Sequence, residues 1–177
     1  MEEIKEVADL LKLVKGYSEL PSEMVYRGQN QDWKLLPSLF RTSKKSNLRI
    51  ERELFKRLKL NKPLLPSELE DSFDFLIFAQ QHSMPTRLLD WTYSPLIALW
   101  FACFNKDKNF LNDGVIYMTD TTSLSDARIA SKYYNESENA FKNHLDNIEQ
   151  LQKLIPSPLF DRLTSQIGIF TVFPEFT

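Results

Sequence analysis

The chain has 177 residues, 42% hydrophobic and 26% charged, the make-up of one globular domain with enough apolar material for a sizeable core. Its 22 basic against 24 acidic side chains give a net charge of -2, which excludes the broad positive field of a non-specific nucleic-acid binder. A single cysteine, Cys103, excludes an internal disulfide, and 4 glycines leave no Gly-x-Gly-x-x-Gly, P-loop or Gly-x-Ser-x-Gly motif.

Met1-Glu2-Glu3 opens acidic rather than as a signal peptide, and the longest apolar run, 96–104, is far short of a bilayer span, so a cytoplasmic chain is expected. Ile4, Val7, Ala8, Leu11 and Val14 fall at helical spacing and predict an amphipathic opening helix that ends at Gly16. Met24-Val25-Tyr26 reads as a short strand that delivers Arg27-Gly28-Gln29 at its end, before a polar turn at Asn30-Gln31-Asp32 and Trp33. A loop at Pro37-Ser38-Leu39-Phe40-Arg41 precedes a charged helix over 47–60, and Arg41, Lys44, Lys45, Arg49 and Arg52 form a local basic patch.

Ser67 as cap and Glu70 closing a capping box predict the start of a helix that places Phe73, Leu76, Ile77 and Gln80 on one face and ends near His82. An irregular centre is expected over 83–93, then a helix capped by Ser94 with Pro95 in its first turn. The body of that helix, 96–104, is apolar all round, which predicts a central, surrounded helix with Cys103 as a buried inert thiol. A strand is predicted at 114–118 and polar helices at 123–133 and 137–155, the second with Phe141, Leu145, Ile148, Leu151 and Leu154 at helical spacing. After Pro156 and Pro158, a short helix leads to a final strand over 165–173. No repeat or linker interrupts the series, so the expected architecture is one α+β domain over 1–177, mostly helical, with a small mixed or antiparallel sheet.

Tyr26-Arg27-Gly28-Gln29, Trp33, Pro37 to Arg41, the stretch from Gln80 to Ala102 with Pro85 to Thr92 at its heart, Gly114-Val115-Ile116-Tyr117, Arg162 and the run from Gln166 to Thr171 together resemble the FRG domain, named for its (Phe/Tyr)-Arg-Gly signature. The likeness covers a core of 24–173, with Gln80-Gln81-His82-Ser83 standing where that family tends to read Gln-His-His/Tyr-Gly. The resemblance implies a bacterial or phage setting but no established activity. Family members usually continue with helical sequence after the last strand, so it also implies a C-terminally truncated copy. A remoter likeness is to ADP-ribosyltransferases and their fold. Those enzymes carry an arginine at the end of an early strand, a Ser/Thr-flanked aromatic leading into an Ala-x-x-Phe helix, and a later strand glutamate. Here Arg27, Thr92, Ser94, Ala98 and Phe101 follow that order, and Gln166 stands at the glutamate position.

The candidate ligand-binding residues are Arg27, Gly28, Gln29, Thr86, Arg87 and Thr92, and the candidate catalytic residues are His82, Asp90 and Gln166. Guanidinium offers a bidentate fork to a pyrophosphate or carboxylate, and a glycine beside it removes the side-chain obstacle to close approach. The alternative for Arg27 is a tie to a core aspartate such as Asp90, and Gln29, a candidate further donor, reads more simply as a solvated turn residue. Arg87 and Asp90 adjoin core, where an unpaired ion costs several kcal/mol, so either they satisfy each other and nearby backbone or a ligand completes them. Trp91 and Trp100 read as core, His82 as acid, base or helix cap, and His144 as a surface residue. With 2 histidines and no ligand-spaced cluster, no metal site is expected.

A carboxylate beside a developing oxocarbenium ion would lower the barrier to ADP-ribose transfer, whereas the neutral amide of Gln166 would bind without countercharge unless Asp90 or Glu175 takes over. The sequence thus points to a pocket for a nucleotide-like or anionic small ligand, with NAD as a possible substrate rather than a bound cofactor. Its rival is a non-enzymatic module whose motif residues are structural, meeting a partner through the basic segment 41–52 or the helix 137–155. No membrane partner is expected.

Overall fold

A computed structural model describes residues 2–17, 23–41, 47–60, 69, 71–104, 113–132, 148–156 and 168–174. Helix α1 (Val7–Tyr17) is followed by strand β1 (Met24–Gln29), a single 3-10 turn at Ser38–Phe40, and helices α2 (Asn47–Leu60) and α3 (Ser72–Gln81). Strand β2 (Leu88–Thr92), helix α4 (Pro95–Cys103), strand β3 (Val115–Asp120), helix α5 (Ala127–Lys132) and strands β4 (Gln152–Leu154) and β5 (Gly168–Val172) complete the series. The five strands form an antiparallel sheet in the order β3-β1-β2-β5-β4, so the described residues make an α+β domain.

Local chemistry sets several boundaries. Asp71 caps α3, accepting from the Asp74 amide at 2.8 Å while Asp74 reaches back to the Asp71 amide. The box expected at Ser67 and Glu70 falls outside the described residues, and the helix begins a turn later than the sequence suggested. Ser94 caps α4 through a bond from the Ile97 amide, with Pro95 at the first helical position, as expected. The opening helix starts at Val7 rather than residue 4 and runs through Gly16, because Asp9 gathers the free amides of Lys5 and Glu6 at its start.

Alternation along the strands separates two packed faces. Val25, Leu89, Trp91 and Ile169 form one cluster, joined by Leu35 and Tyr117. On the other face Leu88, Phe170, Val172 and Leu154 meet α3 through Phe73, Leu76 and Ile77. Helix α4 lies on that second face beside β1, for a Cβ on Gly28 would stand 1.8 Å from the Ala98 carbonyl, and one on Gly114 2.3 Å from that of Ala102.

Four expectations are corrected. The segment predicted as irregular contains β2, the central strand, whose Leu88, Leu89, Trp91 and Thr92 are buried around an exposed Asp90. The end of the helix predicted over 137–155 is the strand β4, since the open edge of β5 supplies ladder partners such as Phe170 for Leu154; Phe141 and Leu145 fall outside the described residues. Helix α4 is not surrounded: only Ala98 and Ala102 are buried, while Leu96, Trp100 and Phe101 are exposed, Trp100 to 54%. Cys103 is exposed with them. Apolar composition all round did not separate the small-residue stripe that packs from the large residues that do not.

Gly28→Ala is therefore expected to destabilise the protein by about 3 kcal/mol, because the backbone of α4 blocks the new methyl. Gly16→Ala, whose Cβ would meet nothing within 4 Å, is expected to stabilise by about 0.5 kcal/mol. Urea denaturation of the two variants checks both signs.

Candidate functional site

The inner strands β1 and β2 share a single register pair, Tyr26 with Thr92, whereas β1 pairs with β3, and β2 with β5, along their whole lengths. Beyond that pair the two strands part. The Arg27 side chain spans the gap: its Nη1 donates to the Asp90 carbonyl at 2.8 Å and lies 3.4 Å from Asp90 Oδ2. Its Nε is buried and has no partner among the described residues. Burial pulls the guanidinium below its ordinary pKa, opposed by the Asp90 charge and reinforced by Arg41.

At this gap lies a cavity of about 200 Å³. Arg27, Gly28, Asp90 and Thr92 line it from β1 and β2, Gly168 and Phe170 from β5, and Ile97 and Phe101 from α4. A guanidinium and a carboxylate thus share a small chamber with apolar walls, an arrangement suited to orienting one ring or one sugar by a few polar contacts.

Asp90 is fixed from two sides. Gln80 on α3 donates through Nε2 to Asp90 Oδ1 at 2.9 Å, and Arg27 approaches Oδ2. Thr86 in turn donates from Oγ1 to Gln80 Oε1. Thr86 is buried and is linked to Asp90 through Gln80, while Thr92 Oγ1 accepts from the Ser94 amide at 3.1 Å. Gln29 is no solvated turn residue: it is buried at the end of β1, opposite Val115. The close approach that Gly28 permits is that of α4.

Arg87 does not join this chamber. It is 1% exposed and engages Glu51 of α2, with Nε donating to Oε2 at 2.7 Å, Nη2 to the same oxygen, and its own amide to Oε1 at 3.2 Å. The alternative in which Arg87 and Asp90 satisfy each other is thus replaced by two crossed pairs, Arg27 with Asp90 and Arg87 with Glu51. Glu51 was missed, yet its spacing of one turn from the buried Phe55 marks it as facing inward.

His82 sits at the end of α3 with Nδ1 2.9 Å from the Phe78 carbonyl and its ring 4.2 Å from that of Phe78, the capping position, and does not line the cavity. Ser83, standing where glycine was the family tendency, nonetheless takes φ 60°. Trp91 is core, its Nε1 donating to Thr171 at 2.9 Å. Gln166, Arg162, Glu175 and His144 lie outside the described residues.

Comparison with protein families matches residues 22–110 to the FRG domain. The chain belongs to the FRG domain family. The matched part of the FRG domain carries β1, α2, α3, β2 and α4, and with them Arg27, Asp90, Gln80, Arg87 and Glu51; β3 and β5 lie beyond it. No curated protein and no solved structure matches the chain. Among the described residues no helix is long and apolar enough to cross a membrane, and no three His, Cys, Asp or Glu side chains group as a metal site.

Glu51→Ala should cost about 3–5 kcal/mol by leaving Arg87 charged and buried, and the Glu51→Leu/Arg87→Met double variant should cost less than that single change. Equilibrium unfolding of the three proteins tests the order.

Proposed function

We propose that the cavity between β1 and β2 binds one moiety of a nucleotide-like or other anionic small molecule, and that the FRG domain acts on NAD in an ADP-ribosyltransferase-like or NAD-cleaving reaction. The observation that carries this reading is that the Arg27 guanidinium and the Asp90 carboxylate line one chamber, with the Arg27 Nε buried and without a partner among the described residues. A volume of about 200 Å³ lies below the roughly 300–1,000 Å³ of sites for drug-sized ligands, so a single ring or sugar enters while the remainder of a dinucleotide stays outside.

In such a reaction the N-glycosidic bond breaks, nicotinamide leaves with the electron pair, and water or an acceptor nucleophile captures the cationic ribose carbon. Asp90, half exposed at the cavity, supplies the countercharge that a glutamine at position 166 cannot. Arg27 orients the ligand, and Thr92 bounds the same chamber. The setting, phage defence or a toxin system, is carried over from the family resemblance.

A second reading has its own support. Four large apolar side chains at the solvent, Leu96, Trp100, Phe101 and Phe104, favour an interaction module in which Arg87, Glu51 and Gly28 simply hold the shape.

Incubation with NAD, followed by nicotinamide release and thermal shift, separates the two. Under the enzyme reading the protein turns NAD over, and Asp90→Asn slows turnover about 100- to 1,000-fold while leaving the fold intact. Arg27→Lys keeps the charge but cannot hold the Asp90 carbonyl and the ligand together, so it should weaken binding. A folded protein that neither binds nor cleaves NAD leaves the interaction module as the function.

A further inference from the structure

Hydrogen-bond polarity around Asp90 is fixed from the interior outwards. The Leu88 amide donates to Thr86 Oγ1 at 3.3 Å, so the Thr86 hydroxyl proton is free to point at Gln80 Oε1. Gln80 Nε2 faces two oxygens, the Leu88 carbonyl at 3.4 Å and Asp90 Oδ1 at 2.9 Å. A backbone carbonyl only accepts, which settles which end of the amide is nitrogen. Asp90 therefore receives a donor on Oδ1 from Gln80 and faces a guanidinium donor at Oδ2, and it presents only acceptor lone pairs to the cavity it lines.

We infer that the chamber selects a ligand group offering a hydrogen-bond donor to Asp90 and an acceptor to the Arg27 guanidinium, and that Gln80 is the positioning residue that enforces this selection. The inference rests on the pocket reading above. It names the chemistry as a neutral donor–acceptor group, a sugar hydroxyl or a carboxamide. A bare phosphate or carboxylate would set acceptor against acceptor at Asp90, and like charge against like. The chamber's volume of about 200 Å³ suits either group on a single ring.

Three probes distinguish the sources: ADP-ribose carries ribose hydroxyls without nicotinamide, nicotinamide carries the carboxamide alone, and pyrophosphate carries neither. Calorimetry on the wild type should detect ADP-ribose or nicotinamide binding and no comparable pyrophosphate binding. In Asp90→Asn, Gln80 takes the amide oxygen and turns the NH2 toward the cavity, so the favoured probe should weaken about 10- to 100-fold. Gln80→Glu keeps the acceptor for Thr86 but sets a carboxylate against Asp90. With Arg27 as the neighbouring cation, the two acids then share a proton only at lower pH, so affinity should be lost at neutral pH and recover on acidification, a profile that a merely structural glutamine would not give. Pyrophosphate binding as tightly as ADP-ribose, or an unchanged affinity in Asp90→Asn, overturns the inference and leaves the pocket reading standing. A wild type that binds none of the three overturns both.

Discussion

The sheet parts in its middle, and the rest of the site depends on how that gap is closed. A backbone carbonyl in the central strand of a sheet would ordinarily receive an amide from the neighbouring strand, and one left bare in the interior costs on the order of 1–3 kcal/mol. Here β1 leaves β2 after Tyr26 and Thr92, and the Asp90 carbonyl is taken by the Arg27 guanidinium instead. A guanidinium has five donors and this contact uses one, so the side chain that closes the sheet keeps further donors while lining the cavity beside it. Structural and ligand-binding roles for Arg27 are therefore not rivals.

The two arginines of the motif region differ in how fully they are satisfied. Arg87 is paired on its fork and its amide with one glutamate, and both side chains are nearly inaccessible. Its charge joins α2 to the segment entering β2, and loss of either partner would leave the other charge buried and unpaired. Arg27 lies at the edge of a chamber beside a half-exposed aspartate, and its charge is reachable. Burial pulls against charge at Arg27, and Asp90 restores part of what burial removes.

Features governed by neighbours in sequence were legible from it. The α2 boundaries follow from its charged amphipathic run, and the start of α4 follows from Ser94 and Pro95 alone. Features governed by partners far along the chain were not. Asp90 breaks the apolar run of a central strand, so β2 reads as irregular until β5 is found pairing with it. Leu151 and Leu154 fit a helix as well as a strand, and only the edge of β5 decides. Arg27, Asp90 and Thr92, which line the cavity, were legible as candidates through their chemistry and the family likeness. Glu51 and the role of Gln80 were not, because nothing in sequence reveals that residues 36 and 10 positions from their partners will meet.

The Tyr-Arg-Gly signature can now be read as three consecutive structural tasks. Tyr26 forms the last register pair with β2 and so sets where the strands part. Arg27, the next residue, crosses the gap thus created. Gly28 follows where β1 has lost its partner on that side, and its missing side chain lets the carbonyl of Ala98 approach to a distance no Cβ tolerates. With Gly114 opposite Ala102, the small residues draw α4 onto β1 by backbone contact, which turns its Ile97 and Phe101 toward the chamber and leaves Trp100 at the solvent. Of the three, Arg27 and Gly28 act through their side-chain chemistry, the one by bridging and the other by leaving room for the helix. The cavity is bounded by all three together with residues of β2, β5 and α4.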